Sequence, residues 1–111
     1  MMEFGYIGIN YKNADQDIRD GVSFTDNGKI DFMEKAADAG ISQCMVLSTC
    51  NRSEVYYLVQ DTEEHKTMER LYRGNFSAIC LDEYLDFRSG KEAIAYLFRA
   101  VSYTHLRAHE T

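Results

Sequence analysis

From Ile41 to Thr49 the chain reads Ile-Ser-Gln-Cys-Met-Val-Leu-Ser-Thr. This apolar run is too short to span a membrane and suits a central strand buried on both faces. Beyond it, Glu54 to Gln60 alternates in polarity and is rich in Val and Tyr, which predicts the next strand. Asn51-Arg52-Ser53 is the tight connection between the two, and it leaves Cys50 at the rim. A strand pair placed mid-chain constrains everything on either side of it.

Phe4 to Tyr11 reads as an earlier strand, with Gly5 and Gly8 permitting close backbone approach. Ala14 to Gly21 fits a short helix. Asp26 or Asn27 is placed to cap a helix from about Lys29 to Ala39, with Ile30, Met33, Ala36 and Ala37 as its apolar stripe and Gly40 as its stop. Asp61 caps another helix to about Asn75, with Met68, Leu71, Tyr72 and Phe76 on its buried side. Tyr84 to Arg88 fits a short edge strand. Ser89-Gly90-Lys91-Glu92 has the form of a capping box and opens a helix with Ala93, Ile94, Leu97, Phe98 and Val101 along one side. The order β, α, β, β, α, β and a final helix predicts an α+β fold, a ferredoxin-like βαββαβ sandwich with an additional C-terminal helix.

At 111 residues, 45% hydrophobic and 27% charged, the chain is expected to be one soluble globular domain with a core of its own. No basic region followed by an apolar one opens it, so no signal peptide is expected. Cysteines 44, 50 and 80 form no Cys-x-x-Cys and fit no zinc framework, so no metal is expected and a reducing cytoplasm is the natural setting. Cys44 and Cys80 lie among apolar neighbours and read as core. The net charge of −6 disfavours strong RNA binding, because phosphate contacts need Lys and Arg. Lys66, Arg70 and Arg73 share one helical face, yet Glu69 beside them makes a solvated surface the simpler reading.

Cys50 is the strongest candidate for chemistry. It falls where the apolar pattern breaks, with a guanidinium two residues on, and a nearby cation lowers a thiol pKa toward the nucleophilic thiolate. The run Leu-Ser-Thr-Cys-Asn-Arg-Ser-Glu-Val-Tyr at 47–56 resembles the active-site motif of glutamyl-tRNA reductase. Gly8-Ile9-Asn10-Tyr11-Lys12 resembles that family's opening strand, with Tyr11 where many members carry His. Ile18-Arg19, Val22-Ser23-Phe24 and Leu97-Phe98-Arg99 continue the likeness over roughly the first hundred residues.

The resemblance implies the same ferredoxin-like fold. It also implies a reaction, in which Cys50 attacks the ester of glutamyl-tRNA to give a thioester that NADPH reduces to glutamate-1-semialdehyde in tetrapyrrole biosynthesis. It implies substrate-binding roles for Thr49, Asn51 and Arg52, with Arg52 gripping the glutamate carboxylate through its planar fork. The family is homodimeric, and this chain is expected to be a monomer or weak dimer with no membrane partner. Two departures bear on activity. Tyr96 stands where many members carry a functionally important His, and no Gly-x-Gly-x-x-Gly is present, so the family's NADPH-binding domain is not encoded here. After Leu97-Phe98-Arg99 the family's Gly-Leu-Asp-Ser run is also missing. Residues 1–102 are therefore read as a truncated catalytic domain and 103–111 as a foreign or disordered tail. The competing reading is a non-enzymatic ferredoxin-like module that binds a ligand or partner, with the cysteine incidental.

Overall fold

The computed structural model describes residues 2–9, 14–49 and 52–110; of residues 16, 19 and 103–110 the backbone alone is described. The chain runs β1 (Glu3–Ile9), α1 (Gln16–Gly21), α2 (Asp26–Asp38), β2 (Cys44–Thr49), β3 (Arg52–Val59), α3 (Thr62–Asn75), β4 (Leu85–Ser89) and α4 (Lys91–Glu110). The four strands form one sheet in the order β2-β3-β1-β4, every neighbouring pair antiparallel. This is the expected ferredoxin-like α+β arrangement with α4 added.

Strand side chains alternate between faces, and here both faces are covered. Ile7 and Ile9 of β1 join Val55, Tyr57 and Val59 of β3 in a core closed by Phe32 and Ala36 of α2 and by Met68 and Tyr72 of α3. Tyr6 and Tyr56 face the other way, against Ala93 of α4, with Phe4, Leu47, Tyr96 and Leu97 around them. The inner strands are β3 and β1, and β2 is not central as the apolar run suggested. β2 lies at the sheet edge, with Met45 exposed and Val46 and Leu47 only half-buried. The crossover through α2 returns the chain one place away from β1, and β3 fills the slot between them. Hydrophobicity reports how much of a strand is covered, not which strands flank it.

The helix ends show what local signals reached. Thr25, not Asp26 or Asn27, caps α2 by accepting from the Gly28 N–H at 2.9 Å. Asp61 caps α3 as expected, accepting from the Glu64 N–H at 2.9 Å. Gly40 stops α2 with a φ of +95°, a conformation that favours glycine. The stripe of α2 is Phe32 and Ala36, while Ile30 and Ala37 are exposed. At the start of α4 the carbonyl of Gly90 accepts from the Ile94 N–H at 3.2 Å, and Ser89 belongs to β4.

The face of α4 also differs from expectation. Ala93 and Ala100 are fully buried, and Tyr96 and Leu97 flank them, whereas Ile94, Phe98 and Val101 are exposed. The small side chain of Ala93 lets the helix axis come close to the ring surfaces of Tyr6 and Tyr56, and a larger residue there would hold it off. The backbone of α4 continues past Ser102 to Glu110.

This rotation of α4 is testable by urea denaturation. Ala93→Leu overpacks a closed contact and should cost about 1–3 kcal/mol. Phe98→Ser, at an exposed position, should change stability by no more than about 0.5 kcal/mol. Equal losses for the two variants would contradict the assigned face.

Candidate active site

The ladder between β2 and β3 ends with Thr49 opposite Arg52. Cys50 and Asn51, which join them, lie outside the described residues. The site is therefore built from the flanking strand ends. Cross-strand partners share a face, so the pairs Thr49–Arg52, Leu47–Glu54 and Met45–Tyr56 all look toward the α4 side of the sheet.

On that side Glu54 is 2% exposed in the middle of the sheet. A buried carboxylate is tolerated only with partners, and three side chains provide them. The Tyr6 hydroxyl donates to Oε2 at 3.1 Å and the Tyr56 hydroxyl to Oε1 at 3.2 Å. Nη1 of Arg52 donates to both oxygens, at 3.3 and 3.5 Å. Burial holds the Glu54 carboxyl above the ordinary carboxylate range, opposed by the charge of Arg52 and by the hydrogen bonds from Tyr6, Tyr56 and Arg52. Arg52 thus sits on the sequence-predicted rim with one guanidinium nitrogen committed to Glu54.

Tyr96, at the position read as a family histidine, reaches this cluster from α4. Its ring lies 4.8 Å from that of Tyr6, and the Arg88 guanidinium stands 4.9 Å from its centroid. Arg88 also pairs with Asp86 at 3.2 Å. Burial raises the Tyr96 phenol, with the charges of Glu54 and Asp86 adding to it. In this setting the group is a neutral hydrogen-bonding phenol and not a base at neutral pH.

The other face of the motif is structural. The Ser48 hydroxyl accepts from the Phe24 N–H at 3.0 Å, and the Ser53 hydroxyl donates to the Val22 carbonyl. The Tyr72 hydroxyl donates to the Ser53 carbonyl at 2.8 Å. These bonds fasten the ends of β2 and β3 to α3 and to the segment before α2. Sequence reading missed both serines and the tyrosine pair. The one signal available was Glu54 itself, a charged residue inside an otherwise apolar strand.

Of the other expected residues, Cys80 is exposed and not core, because it lies beyond α3 in a turn that no element covers. Cys44 is half-buried against the α2–α3 core, and burial raises its thiol to about 11. His65 is half-buried: Nδ1 lies 3.0 Å from the Tyr57 hydroxyl and Nε2 2.6 Å from Glu3. The face of Lys66, Arg70 and Arg73 is matched by acids, with Lys66 on Glu63 at 3.6 Å and Arg73 on Glu69 at 2.9 Å and Asp82 at 2.6 Å. Two surface hollows, of 570 and 370 Å3, are lined by residues such as Glu3, Thr62 and His65 and touch neither Thr49 nor Arg52. They lie toward the other end of β3, which runs roughly 23 Å from Arg52 to Val59 at 3.3 Å per residue, and the smaller one reaches back to Tyr57. Among the described residues no group of three or more His, Cys, Asp or Glu side chains is placed to hold a metal, and no helix is long and apolar enough to cross a membrane.

The family model for the glutamyl-tRNAGlu reductase N-terminal domain matches residues 7–102. The chain belongs to the glutamyl-tRNA reductase family. It is 34% identical to the glutamyl-tRNA reductase of Clostridium novyi over 98 residues, covering 87% of this chain and 24% of the relative. It is 37% identical to that of Sulfurihydrogenibium sp. over 101 residues, covering 86% and 23%, and 34% identical to that of Alkaliphilus metalliredigens, covering 87% and 24%. The chain spans about a quarter of the length of the curated relatives it matches. The matched span takes in the end of β1 from Ile7, the strand ends at Thr49 and Arg52, and Tyr96.

Two outcomes follow from the buried groups. Burial raises the phenols of Tyr6, Tyr56, Tyr57 and Tyr72 well above the usual tyrosine range. The unfolded chain ionises its tyrosines near pH 10. The folded state therefore holds more protons above that pH, and its stability, intact below pH 10, falls as pH rises further. Absorbance at 295 nm should show a steep late step that coincides with loss of near-UV circular dichroism. A gradual titration of all tyrosines near pH 10 in the folded protein would contradict it. Separately, Cys44 should resist iodoacetamide at pH 8 and be alkylated there only after denaturation, as read by peptide mass mapping.

Proposed function

We propose that the chain is the catalytic domain of a glutamyl-tRNA reductase, in which the Cys50 thiolate attacks the ester of glutamyl-tRNA. The C–S bond forms at the glutamyl carbonyl carbon and the C–O bond to the tRNA ribose breaks. The thiol proton ends on the departing ribose oxygen, and the product is an enzyme-bound thioester. One observation supports this reading: Thr49 and Arg52, the residues on either side of the pair Cys50-Asn51 in the motif, form the last rung of the β2–β3 ladder. Arg52 takes the glutamate carboxylate, with Glu54 fixing one side of its guanidinium at 3.3 Å. Thr49 and Asn51 orient the ester and the amine.

The family's later step is reduction by NADPH to glutamate-1-semialdehyde. The present residues do not fit a dinucleotide. The sheet is antiparallel, and no Gly-x-Gly-x-x-Gly opens a helix after a parallel strand. No step through NADPH is assigned to this domain, and in the full-length family the cofactor belongs to a different one. The match ending at 102 supports a catalytic domain of residues 1–102, with 103–111 as a departing segment. The setting proposed is cytoplasmic, with the homodimer a property of the full-length family and this chain a monomer or weak dimer. The step assigned to this domain is acyl transfer.

Intact-mass analysis after mixing with glutamyl-tRNA should show a glutamyl adduct that is labile to hydroxylamine. Cys50→Ser should abolish it. Arg52→Lys keeps the charge but loses the planar fork, and should lower kcat/KM for acylation roughly 10- to 100-fold, the range of about 1.5–3 kcal/mol for a hydrogen bond to a charged group. An adduct of equal yield on Cys50→Ser sinks the proposal.

A further inference from the structure

We infer that Tyr6 is a positioning residue for Arg52, acting through Glu54. This rests on the reading of Arg52 as the grip on the glutamate carboxylate. Tyr6 lies on β1, one strand away from the motif, and is fully buried. Its hydroxyl is one of two phenolic donors on the Glu54 carboxylate, at 3.1 Å on Oε2, with Tyr56 on Oε1 at 3.2 Å. Nη1 of Arg52 spans both oxygens, so the orientation of the carboxylate plane sets the direction of the guanidinium.

The space that Tyr6 uses is provided by a glycine. Gly8 is the cross-strand partner of Glu54, and a Cβ built there would stand 2.6 Å from the Tyr6 hydroxyl and 3.0 Å from the Ser53 carbonyl. Only a residue without a side chain lets the phenol lie across that rung and reach the carboxylate. The ring itself is held by Tyr56 at 5.2 Å and by Tyr96 of α4 at 4.8 Å. Glu54, 2% exposed, has almost no access to water. Without the Tyr6 hydroxyl, Oε2 keeps Arg52 as the only donor described for it. The carboxylate then turns or takes up a proton, and in either case the guanidinium loses its fixed bearing. A packing tyrosine on another strand thereby controls substrate affinity at the rim.

The test compares the wild-type chain with Tyr6→Phe, which removes one oxygen and leaves the ring. In acylation by glutamyl-tRNA, the half-saturating concentration should rise about tenfold while the limiting rate stays within about twofold, the pattern of lost uniform binding. A merely structural role would lower the melting temperature without that split. In 15N NMR of the guanidinium, the Arg52 Nη signals should be resolved in the wild type and coalesce in Tyr6→Phe. Glu54→Gln, which keeps the side-chain shape, should give the same coalescence and serves if Tyr6→Phe folds poorly. Unchanged half-saturation together with unchanged Arg52 signals overturns the inference. If the wild type takes up no glutamyl group, the acyl-transfer reading fails and the NMR comparison alone decides the positioning role, with identical Arg52 spectra rejecting it.

Discussion

A carboxylate inside a sheet dictates what must surround it. Glu54 sits on an inner strand with almost no exposure, and removing one partner of a buried charge pair costs on the order of 3–5 kcal/mol. The fold meets this by bringing Tyr6 from β1, Tyr56 from β3 and Arg52 from the strand end to its two oxygens. Tyr6 needs the gap at Gly8, and both rings need the close approach of α4 that Ala93 permits. The sheet order, the small residues and the orientation of α4 are all consistent with satisfying that one group. The motif's arginine is thereby held in the same network that closes one of the two cores.

The two faces of the sheet divide the labour. The side toward α2 and α3 is mainly apolar, with Phe24, Phe32, Tyr72 and Phe76 meeting edge to face at centroid distances of 5.0 to 6.2 Å. Such contacts stabilise without directing any group toward solvent. The side toward α4 is amphipathic, and its polar groups converge on the end of the β2–β3 ladder. Ser48 and Ser53 fasten that end from the apolar side through Phe24 and Val22. The rim is thus clamped from both faces, which is what a site needs if binding energy is to be spent on substrate and not on ordering the protein.

Much of the fold was legible because its signals are local. The Asp61 cap, the Gly40 stop and the stripe of Met68 and Tyr72 depend on residues within a few turns of each other. The α+β class followed from the order of those elements. The misplaced burial has one cause. β2 was expected at the centre, Ile30 and Ala37 in the core, and Phe98 on the buried side of α4, because apolar character was taken as burial. Which apolar residues are covered depends on partners distant in sequence, and on α4 it is Ala93 and Ala100 that are fully buried.

By itself the sequence determined the kind of fold and the stretch of chain where chemistry belongs, since strand period, caps and the Thr49–Arg52 motif are written in adjacent residues. The tertiary structure alone decided that Arg52 leans on Glu54, that a tyrosine 48 positions from Glu54 in the chain completes the carboxylate's shell, and that α4 turns its alanines inward. Hydrogen bonding and close packing act across space, so their partners are set only when strands and helices from separate parts of the chain meet.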